Sequence, residues 1–306
     1  MTDGGEATPL GEGTWLIDLG FQGRPGVIAA FVLAGGGEVA LIETGPTTTL
    51  PALLAGVRAA GFAPDAITKV LVTHIHLDHA GAAGPFARQF PQATVYVHPI
   101  GAPHLVDPSR LVASATRIYG DRMGPLWGDV APVPAERVVT LSDGEPVAVA
   151  GRALVPLFTP GHASHHVAFW DAASATVFTG DVGGVRMPGT GYVCPPTPPP
   201  DLDVAAWAVS VQRLRDLGAR RLCPTHFGPF EDVAAHLDQL LPNLDTFGRI
   251  ARATLDAGGS QQELTARLHD EMAAALRDAP PSALDNLELA TPSYMAAMGL
   301  TRYLTK

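Results

Sequence analysis

Cysteine is nearly absent: Cys194 and Cys223 are the only two in 306 residues. Two thiols cannot build a disulfide framework, and neither sits in a C-x-x-C pair, so reduced thiols in a cytosolic protein are expected. Charge is also sparse, at 16% of the chain, and it leans acidic, with a formal net charge of −10. Binding a nucleic-acid backbone needs clustered Lys and Arg, and the chain carries no basic arm, which argues against nucleic acid as a partner. The longest apolar run, VIAAFVLA from Val27, is far too short for a bilayer. The opening stretch MTDGGEATPLGEGTW has neither the basic nor the apolar region of a signal peptide. A cytoplasmic protein with no membrane partner is therefore expected. The serine-nucleophile patterns Ser-x-x-Lys and Gly-x-Ser-x-Gly are missing as well.

What is present is ample core material, since 46% of the residues are hydrophobic. The 33 glycines and 28 prolines are scattered, which fits many short turns. Strand-like runs separated by Gly-rich turns occupy residues 14–43. Residues 47–61 read as a helix behind a threonine cap, with Leu50, Leu53, Leu54 and Val57 at helical spacing. The buried-looking strand ITKVLVTH follows, then the helix AGPFARQF and the strand ATVYVHP. Residues 102–135 are irregular to helical. Strands return in RVVTL, PVAVAG, ALVPLFTP, HHVAFWD and TVFTGD. After the proline-dense loop 187–200 comes an amphipathic helix ending at Gly218, and then the short strand in RRLCPTHFG. From about residue 231 the chain reads as wholly helical. The order of elements looks doubled, as two β-sheets face to face with helices outside. The change of composition near 235 divides a catalytic region, 1–234, from a C-terminal helical extension, 235–306.

The chemistry is concentrated in THIHLDHAG, a His-x-His-x-Asp-His motif at the end of a strand. Side chains alternate along a strand, so His74 and His76 share a face if the strand runs on, with Asp78 on the turn and His79 opening the next helix. Imidazole and carboxylate donors suit zinc, and also iron or manganese. Four residues cannot complete two sites, so further ligands must come from elsewhere. His162 in FTPGHASHH, Asp181 in VFTGD and His226 in LCPTHFGPF each stand where a strand stops.

These motifs resemble those of the metallo-β-lactamase-fold hydrolase superfamily, which includes glyoxalase II, lactonases and ribonuclease Z. LIETG, THIHLDHAG, TPGH, TGD and THFG occur in the family's order across about residues 13–230. The resemblance implies an αββα sandwich of two mixed sheets flanked by helices. It implies that His74, His76 and His162 bind one divalent ion, that Asp78, His79 and His226 bind a second, and that Asp181 bridges the two. Glu43 stands in place of the family's usual Asp, a residue that supports the ligands. The implied function is a binuclear hydrolase, with zinc as the expected metal. A metal-bridging hydroxide would attack a small ester, thioester, lactone or phosphodiester, and Asp78 would orient it and relay its proton. The alternative on the same fold is a persulfide dioxygenase, an oxidoreductase binding one iron through a set such as His74, His162 and Asp181. A purely structural scaffold is disfavoured, since structural zinc sites are closed by four ligands and seven are present here.

Beyond the ligands, His166 shares a face with His162 and is a candidate second support or substrate contact. Tyr192, in the stiff loop 187–200, is a candidate substrate contact as an oxyanion donor. His98 is expected to be structural, and His104, His236 and His269 to be ordinary surface or packing residues. Arg249, Arg252 and Arg267 read as solvated helix faces. A small-molecule substrate is expected, and the C-terminal helices are read as a cap or a homodimer surface.

Overall fold

A computed structural model describes residues 4–306. Its secondary structure comprises two mixed β-sheets flanked by helices, the class expected from the sequence. By contact density the chain divides into two compact units. The first runs to Phe158 and takes back Val167–Ser174; the second holds Thr159–His166 and everything from Ala175 onward. The helices beyond 235 thus belong to the same compact unit as the segments bearing His162, Asp181 and His226.

The first unit is built on seven strands in sequence order: β1 (Glu6–Gly11), β2 (Thr14–Asp18), β3 (Ala29–Gly35), β4 (Glu38–Ile42), β5 (Ile67–Leu71), β6 (Thr94–Val97) and β7 (Val138–Thr140). β1 to β4 form an antiparallel meander, and β4 to β7 run parallel. The central strands are buried on both faces, as a covered sheet requires, with Ile17, Phe31, Leu33, Leu41 and Val70 fully inside. The helix expected over residues 47–61 is a 3-10 turn at Thr47–Thr49 followed by helix Leu50–Ala59, and the threonine cap is not made. The Thr49 hydroxyl donates to the Pro46 carbonyl, while those of Thr47 and Thr48 donate to the carbonyls of Asp129 and Leu126. Tertiary acceptors take Thr47 and Thr48, whereas Thr49, the residue before the helix, turns back to a carbonyl three residues upstream. β8 (Val147–Val149), β9 (Arg152–Phe158) and β10 (Val167–Asp171) pair antiparallel in this unit. Arg152 ties them to the first sheet, bonding the Thr14 hydroxyl at 3.1 Å and the Asp171 carboxylate at 3.0 Å.

The second unit contains the parallel pair β11 (Thr176–Phe178) and β12 (Arg221–Cys223). Helix Val204–Asp216 is capped by the Asp203 carboxylate, which accepts the Ala206 amide at 3.0 Å. Helices Val233–Asp256, Gln261–Ala275, Ala283–Ala290 and Ser293–Leu304 make up the C-terminal region. Among the described residues, no helix is long and apolar enough to cross a membrane. Cys194 and Cys223 are both free and fully buried.

Candidate metal centre

In the first unit β5 stops at Leu71, and the chain then turns through Thr73 and His74 into a short helix, Leu77–Ala80. His76 is the residue before that helix. Asp78 and His79 therefore lie within it, a shift from the expectation that Asp78 sits on a turn and His79 begins the next helix. The helical spacing sends adjacent residues in different directions, so Asp78 stays partly exposed while His79 is wholly buried. The donor atoms of His74 and His76, of His74 and His79, and of Asp78 and His79 lie within 4.8 Å of one another. His74 Nε2 and His76 Nδ1 are 2.8 Å apart, and His79 Nε2 is 3.7 Å from an Asp78 oxygen.

Glu43 organises this half. It is fully buried, follows β4 with a φ of 68°, and turns its carboxylate towards the ligand strand. It accepts the Thr73 amide at 3.2 Å, the Thr73 hydroxyl, and His79 Nδ1 at 2.9 Å. With Nδ1 of His79 donating to a carboxylate, the ring's lone pair lies on Nε2, which can ligate. The Thr73 hydroxyl, already donating to Glu43, accepts from His74 Nδ1 at 3.1 Å, which likewise leaves the lone pair of His74 on Nε2. Glu43 thus fixes two imidazole tautomers, one directly and one through a hydroxyl.

In the second unit His162 follows the Pro-Gly turn after β9, Asp181 sits in the tight turn after β11, and His226 follows β12. One Asp181 oxygen lies 3.3 Å from His162 Nε2, and the other lies 3.6 Å from His226 Nε2. All three residues are buried. The Pro196 carbonyl accepts His162 Nδ1 at 2.9 Å, again leaving Nε2 as the donor atom. Gly161 has a φ of 141°, and a Cβ there would meet the Trp207 backbone at 2.4 Å. The Pro-Gly turn is what lets the helix bearing Trp207 approach the His162 segment.

His166 is buried with both ring nitrogens engaged. Nδ1 faces the Thr159 hydroxyl at 2.8 Å, and Nε2 accepts the Asp181 amide at 3.1 Å. It holds the turn that presents Asp181. Tyr192 has its hydroxyl buried beside the Cys194 thiol; burial first, and then Cys194, raise its pKa, so it stays protonated. His98 accepts the Ile100 amide and packs tilted against the Phe158 ring, with centroids 4.1 Å apart. His236 is a packing residue, fully buried on the Gly183 carbonyl. His269 pairs with Glu288 near the surface. Arg249 bonds Asp245 and Thr246 on its own helix, and Arg267 bonds the Thr254 hydroxyl. Glu43 and the Pro196 carbonyl are the supports that complete the picture. The first was legible as a departure from the usual motif, whereas a backbone acceptor leaves no mark in a sequence.

The donor set fits divalent metal. Nitrogen donors of one tetrahedral zinc stand about 2.0–2.1 Å from the ion, and so about 3.3 Å from each other. The contacts of Asp181 with His162 and His226, at 3.3 and 3.6 Å, have that ligand spacing and exceed ordinary hydrogen-bond length.

A family model described as the metallo-beta-lactamase superfamily matches residues 23–226. A metallo-beta-lactamase fold-containing protein from Sulfurisphaera tokodaii is 24% identical over 264 residues, covering 84% of this chain and 94% of that protein. An atrochrysone carboxyl ACP thioesterase from Aspergillus fumigatus is 26% identical over 225 residues, covering 69% of this chain and 59% of that enzyme. The crystal structure of a metallo-beta-lactamase family protein from Thermus thermophilus superposes with a TM-score of 0.70 at 24% identity, covering 97% of this chain and 94% of that one.

Proposed function

The chain belongs to the metallo-beta-lactamase superfamily, and on that premise we propose that it is a binuclear metal-dependent hydrolase of a small ester, thioester, lactone or phosphodiester. The observation that carries this reading is Asp181, whose two carboxylate oxygens each face a different buried imidazole. A carboxylate so flanked suits a bridge between two ions. His74, His76 and His162 are assigned to one ion, Asp78, His79 and His226 to the other, and Asp181 to both.

Bound zinc would supply a Lewis acid and bring a water pKa down from 15.7 to about 7. The chain does the rest. Glu43 and Pro196 hold the tautomers of His79 and His162, so that each presents Nε2. His166 holds the Asp181 turn through the backbone amide, and in this reading it acts through that turn instead of touching substrate. Asp78 is half-buried, and its carboxylate takes the proton from the attacking water and passes it to the leaving group. Neither cysteine serves as nucleophile: burial raises both thiols, that of Cys223 to about 12. Residues 1–234 form the catalytic region and 235–306 its helical extension. A thioester is the first substrate class to test, because one relative is a thioesterase.

The test is elemental mass spectrometry on protein purified without added metal or chelator, followed by hydrolysis assays on thioesters, lactones and phosphodiesters. About two zinc per chain and turnover abolished in Asp181→Ala are expected. One iron per chain would favour the persulfide dioxygenase reading. Recovery of no metal after reconstitution would overturn the assignment of the seven ligands.

A further inference from the structure

The proline-dense loop after Asp181 holds His162 through a backbone carbonyl: that of Pro196 accepts the Nδ1 proton at 2.9 Å. The same loop is gripped along its length by the C-terminal helices. Asn243, in helix Val233–Asp256, donates its side-chain amide to the Val193 carbonyl at 2.7 Å. Met272, in helix Gln261–Ala275, meets the Cys194 thiol at 3.7 Å. In helix Ser293–Leu304, Gly299 lies so close to the loop that a Cβ would stand 2.0 Å from the Thr197 carbonyl oxygen and 2.7 Å from Pro198. Arg302, one turn on, donates to the Pro200 carbonyl at 3.2 Å. Pro195, Pro196 and Thr197 are all buried between these grips. Proline fixes φ, so a displacement imposed at Thr197 is passed to Pro196 with little slack to absorb it.

We propose that the C-terminal helices are a positioning device for the metal ligand His162, acting through the proline-dense loop, with Gly299 and Asn243 as the positioning residues. The inference rests on the reading of His162 as a ligand. A carbonyl that holds a ligating imidazole sets both its tautomer and its ring direction, and losing such a partner typically lowers metal affinity 10–100-fold. Here that carbonyl belongs to a loop whose place is set by three helices remote in sequence from the motif.

The experiment measures zinc transfer from the loaded full chain to a chromogenic chelator, well below the melting temperature of each variant, together with the visible spectrum of the cobalt-substituted protein. Gly299→Ala is expected to release one of the two ions about tenfold faster and to shift the cobalt bands, with the other ion retained as in the parent. Asn243→Ala, which removes a part-buried hydrogen bond without a clash, is expected to act in the same direction and keeps the test decisive should Gly299→Ala not fold. Gly248→Ala makes the same chemical change in helix Val233–Asp256, where a Cβ meets nothing within 4 Å, and is expected to match the parent. Lowered melting temperatures with unchanged zinc release and cobalt spectra in both loop variants would overturn the proposal, reducing the helices to simple packing. A parent protein that binds no zinc would instead overturn the ligand reading itself.

Discussion

Glu43 is the residue on which the histidine cluster of the first unit turns. Its carboxylate satisfies the Thr73 amide and hydroxyl and the His79 ring, all without exposure. Glu43→Gln keeps the volume but can no longer accept at both oxygens or favour the same tautomer. It is expected to weaken zinc binding roughly tenfold or more, read by competition with a chelator of known affinity. His166 plays the like part beside Asp181 in the second unit. His166→Leu would strand the buried Asp181 amide and the Thr159 hydroxyl, at a cost of about 1–3 kcal/mol. That loss should show in chemical denaturation of the metal-free protein. The candidate ligands were legible, because imidazoles and carboxylates at strand ends declare their chemistry by residue type. Their supports were less so. Glu43 was visible only as a substitution in a motif, and Pro196 contributes a carbonyl that every residue owns.

At the scale of elements, helix Val204–Asp216 illustrates what a pattern can carry. Its amphipathic spacing and the closing Gly218 announced it, and its Trp207 is fully buried, donating Nε1–H to the Val182 carbonyl at 2.8 Å. Trp207→Ala is expected to destabilise the protein by about 3–5 kcal/mol, measured by denaturant titration. The strand β1 went unforeseen: EATPLG contains a proline and a glycine and lies at a sheet edge with no buried position, so no alternation marks it. The threonines before helix Leu50–Ala59 misled for the opposite reason. Their residue type suits a cap, but carbonyls distant in sequence captured the hydroxyls of Thr47 and Thr48, and the Pro46 carbonyl just upstream took that of Thr49. Local pattern predicts local structure until a long-range partner offers a better bond.

For the whole molecule, pH and metal are the two levers. His236 is buried on the Gly183 carbonyl, and burial pushes its pKa from 6.5 down to about 4; Gly183 and Asp232 oppose that shift, and Arg186 adds to it. The unfolded chain protonates this histidine near pH 6.5, whereas the folded one resists until about pH 4. Its contribution is therefore complete above pH 6.5 and is lost as pH falls through that window, by up to about 3 kcal/mol. His236→Gln should flatten the stability curve between those pH values relative to the parent, with urea midpoints as the readout. Metal acts in the other direction. If zinc binds only the folded chain, a hundredfold excess over its dissociation constant adds about 2.7 kcal/mol, and chelator should remove the same amount in a thermal melt.

The two sealed thiols turn the protein into its own clock. Cys194 rides in the proline-dense loop and Cys223 in β12, both at zero exposure, so neither can react with an alkylating agent until the chain around it opens. Their labelling rates time two separate events: release of the loop from the C-terminal helices, and fraying of the strand that leads to His226. Loading with zinc should slow both, and Gly299→Ala should hasten the first ahead of the second.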